Sequence, residues 1–333
     1  MTRKITLLFI IAACLLAVSC AKEEDESADL IQKRILDAYL VNNYPNIKPT
    51  KSGLVILSKT EGTGETPIDK NMGVYISYSI KSLSGAYQAT NQESVAKQLG
   101  NYAKTNYYGP SLFEVGFGTT IKGVEEAITG MKKGGKVVVI IPPWLSSYSA
   151  NADYGSSTGG RENTTNLIYE IEIKSVIKDI IKFQIDSLQS YSNRYYSGMD
   201  STSYGFYFTK LKDLKTDTIA AEKSADVWYV GRLLDGYVFD TNIADTAKKY
   251  GIYNSSKSYT ALSVTYAANV TTMKDNNSIV AGYAQALKKM SYGEIATTFF
   301  YSNLGYGAEA QSSSNIGSYQ PLVFYLKVEK PDQ

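Results

Sequence analysis

The chain is written twice. Gly123-Val124-Glu125-Glu126-Ala127-Ile128-Thr129-Gly130-Met131 aligns with Gly282-Tyr283-Ala284-Gln285-Ala286-Leu287-Lys288-Lys289-Met290, 159 positions later. Both place apolar side chains at i, i+3, i+4 and i+7: Val124, Ala127, Ile128, Met131 and Tyr283, Ala286, Leu287, Met290. That is one face of a short amphipathic helix, and Gly134 or Gly293 follows as the expected stop. Upstream, a strand signal after a glycine recurs at an offset of 152, in Gly53-Leu54-Val55-Ile56 and Gly205-Phe206-Tyr207-Phe208. Another strand, centred on Tyr78 and on Tyr229, recurs at 151. Each half closes on an alternating run: Tyr169, Ile171 and Ile173 against Glu170, Glu172 and Lys174, then Phe324, Leu326 and Val328 against Tyr325, Lys327 and Glu329. Period two with one wet face indicates antiparallel sheet. Each half opens on a helical stretch, with Leu30, Ile31, Ile35, Leu36, Tyr39 and Leu40 behind Ser27 or Asp29 as N-cap, and with Ile181, Ile185 and Leu188. Near-constant offsets indicate duplication. A helix laid on an antiparallel sheet is an α+β architecture, and 333 residues suit two domains of about 150 residues each.

Composition limits the chemistry. There is no histidine, and the two cysteines are Cys14 and Cys20. Imidazole acid/base catalysis, Ser-His-Asp and Cys-His nucleophiles and histidine-ligated zinc are excluded. Tyrosine, at 28, outnumbers phenylalanine at 10 and tryptophan at 2, so aromatic surfaces and carboxylates are the available tools. Gly116-Phe117-Gly118 and Gly134-Gly135 lack the context of phosphate loops. Glu125-Glu126 reads as solvated helix surface, lysines 132, 133, 136, 288 and 289 as surface charge, and runs 146–166 and 311–318 as loops.

The N-terminus sets a compartment. Arg3 and Lys4 precede an apolar stretch from Ile5 to Val18, shorter than the roughly 20 residues of a membrane span and built like a secretory signal. Leu16-Ala17-Val18-Ser19-Cys20 resembles a bacterial lipobox, which implies a signal at 1–19 and a lipid on Cys20. Removing Arg3 and Lys4 brings Lys+Arg from 34 to 32, level with 32 Asp+Glu, so charge gives no support for nucleic-acid binding. Ala21-Lys22-Glu23-Glu24-Asp25-Glu26, within an acidic tether at 20–28, resembles the signal that sends some Gram-negative lipoproteins to the outer surface. The expectation is an outer-membrane lipid-anchored protein facing the cell surface or the periplasm.

The second repeat carries the fuller pattern. Val227-Trp228-Tyr229-Val230-Gly231 is followed by Leu234-Asp235-Gly236-Tyr237-Val238-Phe239-Asp240-Thr241-Asn242. Then come Ile279-Val280-Ala281-Gly282-Tyr283, Leu304-Gly305-Tyr306-Gly307, Ile316 and Pro321-Leu322-Val323-Phe324. In this order the segments resemble the FKBP-type peptidyl-prolyl cis-trans isomerases, over about residues 50–176 and 203–330. The resemblance implies two α+β domains, each a twisted antiparallel sheet wrapped around a short helix and preceded by a helical segment. It implies catalytic roles for Tyr229, Phe239, Asp240 and Tyr306, and substrate binding by Ile279, Val280, Tyr283, Ile316 and Phe324. Asp240 would be a polar wall bonded to Tyr229, and Tyr306 would offer its hydroxyl to a substrate carbonyl. Tyr283 occupies a floor position that is usually Trp in the family. No cofactor or metal is implied.

The first repeat departs further. Tyr78 keeps its place, but Tyr87-Gln88-Ala89-Thr90-Asn91 puts Gln88 and Ala89 where the family has Phe and Asp. Val124 holds the floor position, Ile121 and Tyr169 match the pocket, either Tyr148 or Tyr154 serves as the late-loop tyrosine, and the segment before Phe113 is lengthened. The resemblance therefore implies a degenerate first pocket without efficient isomerase activity. The expected layout is an N-terminal helix at 29–49, the degenerate domain at 50–176, a connecting helix at 177–202 and the second domain at 203–333. The implied partners are proline-containing segments of exported proteins. The alternative is a non-catalytic peptide-binding or scaffolding lipoprotein in an outer-membrane complex.

Overall fold

The computed structural model describes residues 27–148, 162–269, 271–274 and 279–331. The signal, Cys20, most of the acidic tether and Tyr154 lie outside the described residues. Helix α1 (Ala28–Asn43) is capped by Ser27, whose hydroxyl accepts the Leu30 N–H, the first of the two cap candidates. It stops before Pro45, short of residue 49, because the residue preceding a proline is pushed out of helical geometry. Its buried contacts come from Leu36 and Leu40, while Leu30, Ile31 and Ile35 are exposed, so the apolar face is narrower than its periodicity predicts. The first sheet follows: β1 (Val55–Thr60), β2 (Met72–Ser82), β3 (Tyr87–Thr90), α2 (Glu93–Gln98), β4 (Ser111–Val115), α3 (Lys122–Ile128), β5 (Lys136–Ile141) and β6 (Leu167–Ile177).

The same succession then recurs. Helix α4 (Ile180–Tyr195), within the expected 177–202, is capped by the Asp179 carboxylate on the Lys182 N–H. It leads to β7 (Phe206–Lys212), β8 (Ser224–Arg232), β9 (Val238–Thr241), α5 (Ala244–Tyr250), β10 (Leu262–Tyr266), β11 (Met273–Lys274), α6 (Ala281–Leu287), β12 (Ile295–Phe300) and β13 (Leu322–Glu329). Every strand pairing is antiparallel. One sheet runs β1-β5-β6-β2-β3 with β4 also on β2, and the other runs β7-β12-β13-β8 with β9 and the β10-β11 hairpin on β8. The two halves are thus one topology used twice, the second lengthened by β11. These are two FKBP-like α+β domains.

Each sheet is covered on both faces. In the first domain, Val124, Ala127 and Ile128 of α3 pack with Ile76, Val139, Ile171 and Ile173, while Leu36 and Leu40 of α1 pack with Val55, Ile140 and Ile168 on the other side. In the second, α6 packs inside with Phe300, Phe324 and Leu326, and Leu188 of α4 packs outside with Tyr207, Phe299 and Val323. Where both layers reach β6 and β13, three consecutive residues are buried before alternation begins. A strand covered on both faces loses its period of two.

Both inner helices end earlier than the spacing predicts, at Ile128 and Leu287. Gly134 and Gly293, with φ +82° and +84°, instead form the turns into β5 and β12. Glu125 and Glu126 are not merely solvated. Glu125 accepts the Gly116 N–H at 2.9 Å, and Glu126 accepts the hydroxyls of Thr50 and Ser52 at 2.9 and 2.8 Å. Lys288 is likewise no simple surface charge. Its ammonium donates to the Ala267 carbonyl, and burial lowers its pKa.

Candidate functional site

The second domain gathers the expected aromatics in one place. Tyr229 stands on β8, Phe239 and Asp240 on β9, Tyr283 on α6 and Phe324 on β13. Their rings form an edge-to-face chain, Tyr229 to Tyr283 at 6.1 Å, Tyr283 to Phe324 at 5.0 Å and Phe324 to Phe239 at 5.7 Å. That is the favoured geometry for aromatic quadrupoles. The chain exists because position 231 carries no side chain. A Cβ on Gly231 would sit 2.5 Å from the Phe239 ring and 3.0 Å from Phe324. Ile279, Val280 and Tyr306 pack against the same core half-exposed, and Ile316 is buried in it.

Asp240 is held by hydrogen bonds at both of its carboxylate oxygens. Its Oδ2 accepts the Tyr229 hydroxyl at 2.7 Å, and its Oδ1 accepts the Thr241 N–H at 2.8 Å and the Lys257 ammonium. Lys257 also donates to the Thr241 carbonyl at 3.0 Å. Burial, then the Asp240 charge, pushes the Tyr229 phenol well up, and the same two causes raise Tyr306. Tyr283 is 5% exposed, and among the described residues its hydroxyl has no partner. Burial is the main reason its pKa lies far above the ordinary value. A cleft of about 510 Å³ opens beside Asp240. Of the predicted residues, Phe239 and Asp240 line it; Tyr283, Ile316 and Phe324 are buried in the core, and Tyr229, Ile279, Val280 and Tyr306 are half-buried outside its lining. Lys257 and Tyr237 line it too; Tyr237 lies in the 234–242 segment, while Lys257 carries no local sequence motif.

The first domain brings Tyr78, Ile121, Val124 and Tyr169 together around a cavity of about 580 Å³, with Gln88 and Ala89 on its wall. Gln88, Ala89 and Val124 stand where the second repeat has Phe239, Asp240 and Tyr283, and the cavity lies over Val124 and Tyr169, whose counterparts Tyr283 and Phe324 do not line the second domain's cleft. With no carboxylate at position 89, Tyr78 is raised by burial alone. Tyr169 accepts the Asn163 amide at 2.8 Å, and burial pushes its pKa up to about 12. Of the two late-loop tyrosines, Tyr148 lines the cavity and donates to Glu162.

A sequence model described as FKBP-type peptidyl-prolyl cis-trans isomerase matches residues 89–174 and 215–329, more than half of the chain. The chain belongs to the FKBP family. Among solved structures it is similar to the three FKBP domains of wheat FKBP73, at 15% identity over 86% of this chain and 98% of that one, with a TM-score of 0.30. It is similar to a peptidyl-prolyl cis-trans isomerase of Pseudomonas syringae pv. tomato, at 21% identity over 46% of this chain and 94% of that one, TM-score 0.33. It is also similar to FkpA of Escherichia coli, at 22% identity over 52% of this chain and 70% of that one, TM-score 0.32. Both matched stretches reach into an FKBP sheet and its inner helix, so the protein is a tandem FKBP.

Proposed function

We propose that the second domain isomerises X-Pro bonds of exported proteins, and that the first holds polypeptide without efficient catalysis. The observation that carries this reading is the 2.7 Å bond from Tyr229 to Asp240 beside the Phe239 ring, at the mouth of a cleft. Rotating a prolyl amide crosses a barrier of roughly 18–20 kcal/mol because C–N resonance is lost. The planar amide carries more charge on its oxygen than the twisted one, so a water-poor aromatic wall disfavours the ground state more than the transition state. Binding energy from the flanking peptide offsets that cost. Phe239, packed edge-to-face on the buried Phe324, supplies the dry wall. Asp240, locked by Tyr229, Thr241 and Lys257, keeps its orientation as the substrate turns, and Tyr306 is the donor for a substrate carbonyl. No nucleophile or proton relay is needed, which suits a chain with no histidine.

The lipobox-like segment and the acidic tether support placement at the outer membrane of a Gram-negative bacterium, with Cys20 as the lipid-bearing first residue. Gln88 and Ala89 in the first domain remove the Phe and Asp that this mechanism uses. An isomerisation assay on the full chain with several X-Pro peptides tests the catalytic claim, and metabolic labelling with a clickable fatty acid tests the anchor, with Cys20→Ser expected to abolish the label.

A further inference from the structure

One loop of the second domain separates the two cavities. Ser313 and Asn315 line the cleft beside Phe239 and Asp240, and Ser318 lines the cavity of the first domain. Three residues of chain reach at most roughly 11 Å, so the two rims nearly meet. The loop is held from the first domain on both sides. On the cleft side, the Thr105 carbonyl accepts the Asn315 amide at 2.8 Å and the Tyr237 hydroxyl at 2.7 Å, while Tyr107 donates to Asp235 at 2.9 Å. On the other side the Tyr319 hydroxyl lies against Glu114, and burial followed by that carboxylate raises the phenol's pKa. Thr105 itself lines the second domain's cleft. Each domain therefore contributes to the rim of the other's cavity.

The first cavity has a definite chemical character. Its floor is aliphatic, with Ile121, Val124 and Leu167, and its lining includes the carboxylates of Glu114 and Glu162. Among the described residues, no lysine or arginine lines it. A long aliphatic stem ending in a cation fits that arrangement, burying its methylenes and keeping a charge-assisted bond at its tip. A carboxylate accepts at two oxygens, so the bond from Tyr148 to Glu162 leaves capacity for another donor.

We propose that the two cavities hold one extended polypeptide, with its prolyl residue beside Phe239 and Asp240 and a lysine or arginine, three to six residues away, in the first domain's cavity. This rests on the reading of the second domain as the X-Pro site. It gives the first domain a selective role, since linked engagement raises affinity without any change at the catalytic wall.

Fluorescence anisotropy on the full chain tests it, with labelled peptides of about twelve residues bearing one Xaa-Pro and a Lys, Gln or Glu at the stated spacing on either side. The lysine peptide is expected to bind at least about fivefold tighter than the glutamine peptide, and the glutamate peptide weakest. The preference should collapse in E114Q/E162Q. In the unaltered protein it should also fade as salt rises to about 0.5 M, a readout that stands if the double variant does not fold. Equal affinity for all three peptides, or a lysine preference indifferent to both salt and E114Q/E162Q, overturns the inference. A short Xaa-Pro tetrapeptide assayed on the same protein separates the two claims. Acceleration without lysine preference overturns this inference alone. No acceleration overturns the reading of the second site, and this inference with it.

Discussion

Asn91 and Asn242 make the same clamp in the two domains. Asn91 accepts the Tyr78 N–H at 2.7 Å and donates to the Ile76 carbonyl at 3.0 Å. Asn242 accepts the Tyr229 N–H at 2.8 Å and donates to the Val227 carbonyl at 2.8 Å. The preceding threonines match as well, Thr90 donating to the Tyr78 carbonyl and Thr241 to that of Tyr229. The clamp fixes the short strand that carries Phe239 and Asp240 in one domain, and Gln88 and Ala89 in the other. The frame of the site is thus retained in both copies, and the difference lies in the two side chains it presents.

Asn242→Ala should destabilise the second domain by about 1–3 kcal/mol, because it strands buried backbone groups that lose their partner. The two tryptophans report on the domains separately, Trp144 in the first and Trp228 in the second. Denaturant unfolding followed by Trp228 fluorescence in a Trp144→Phe background should show a lower midpoint. An unchanged midpoint would contradict the role given to the clamp.

Tyr283→Phe should act in the opposite direction. Its hydroxyl is buried with no partner among the described residues, and removing such a group is expected to stabilise the domain by about 1 kcal/mol. The same Trp228 readout checks this, and a loss of stability would mean that the hydroxyl is satisfied in the native state.

Tyr229→Phe removes one hydrogen bond to Asp240 without emptying the wall. A net loss of about 0.5–1.5 kcal/mol corresponds to a two- to tenfold fall in kcat/KM. With no histidine in the chain and the Tyr229 phenol pushed up, kcat/KM of the native protein should be flat between about pH 6 and 9. A bell-shaped profile would require a proton-transfer step that this mechanism does not contain.

Alkaline pH should unfold the first domain through its buried phenols. Tyr169 has its pKa raised to about 12 in the fold, against about 10 in an unfolded chain. The unfolded state therefore loses its proton first, and the stabilisation present below pH 10 is lost as pH rises toward 12, by about 1.4 kcal/mol per unit of displacement. Tyr169→Phe should flatten the dependence of the Trp144-reported midpoint over that window. An equally steep dependence in the variant would assign the effect to other groups.

Much of this was legible from spacing. The offsets of 152 and 151 matched β1 with β7 and β2 with β8, and their growth to 159 marked the extra length that becomes β11. The substitutions at Gln88 and Ala89 could be read directly, but not that they border an open cavity, because a cavity depends on what neighbouring elements do. Lys257 was missed because an ion pair to Asp240 across 17 positions leaves no periodic trace. The segment before Phe113 is marked in the sequence only by its added length. Its function as the bridge that puts Thr105 and Tyr107 on the second domain is a relation between domains, and local pattern does not encode it. Part of the tyrosine surplus has a packing role, since Tyr196 and Tyr207 stack on Phe299 and Tyr191 meets it edge-on, fastening α4 to the outer face of its sheet.

The central claim is tested most directly by isomerisation of short Xaa-Pro peptides with the full chain and its Phe239→Ala variant. Catalysis well above the buffer rate is predicted for the native protein, with at least about a tenfold loss in the variant, equivalent to 1.4 kcal/mol of transition-state stabilisation. Rates no faster than buffer across several Xaa-Pro sequences would contradict it and favour a peptide-binding or scaffolding role for both domains.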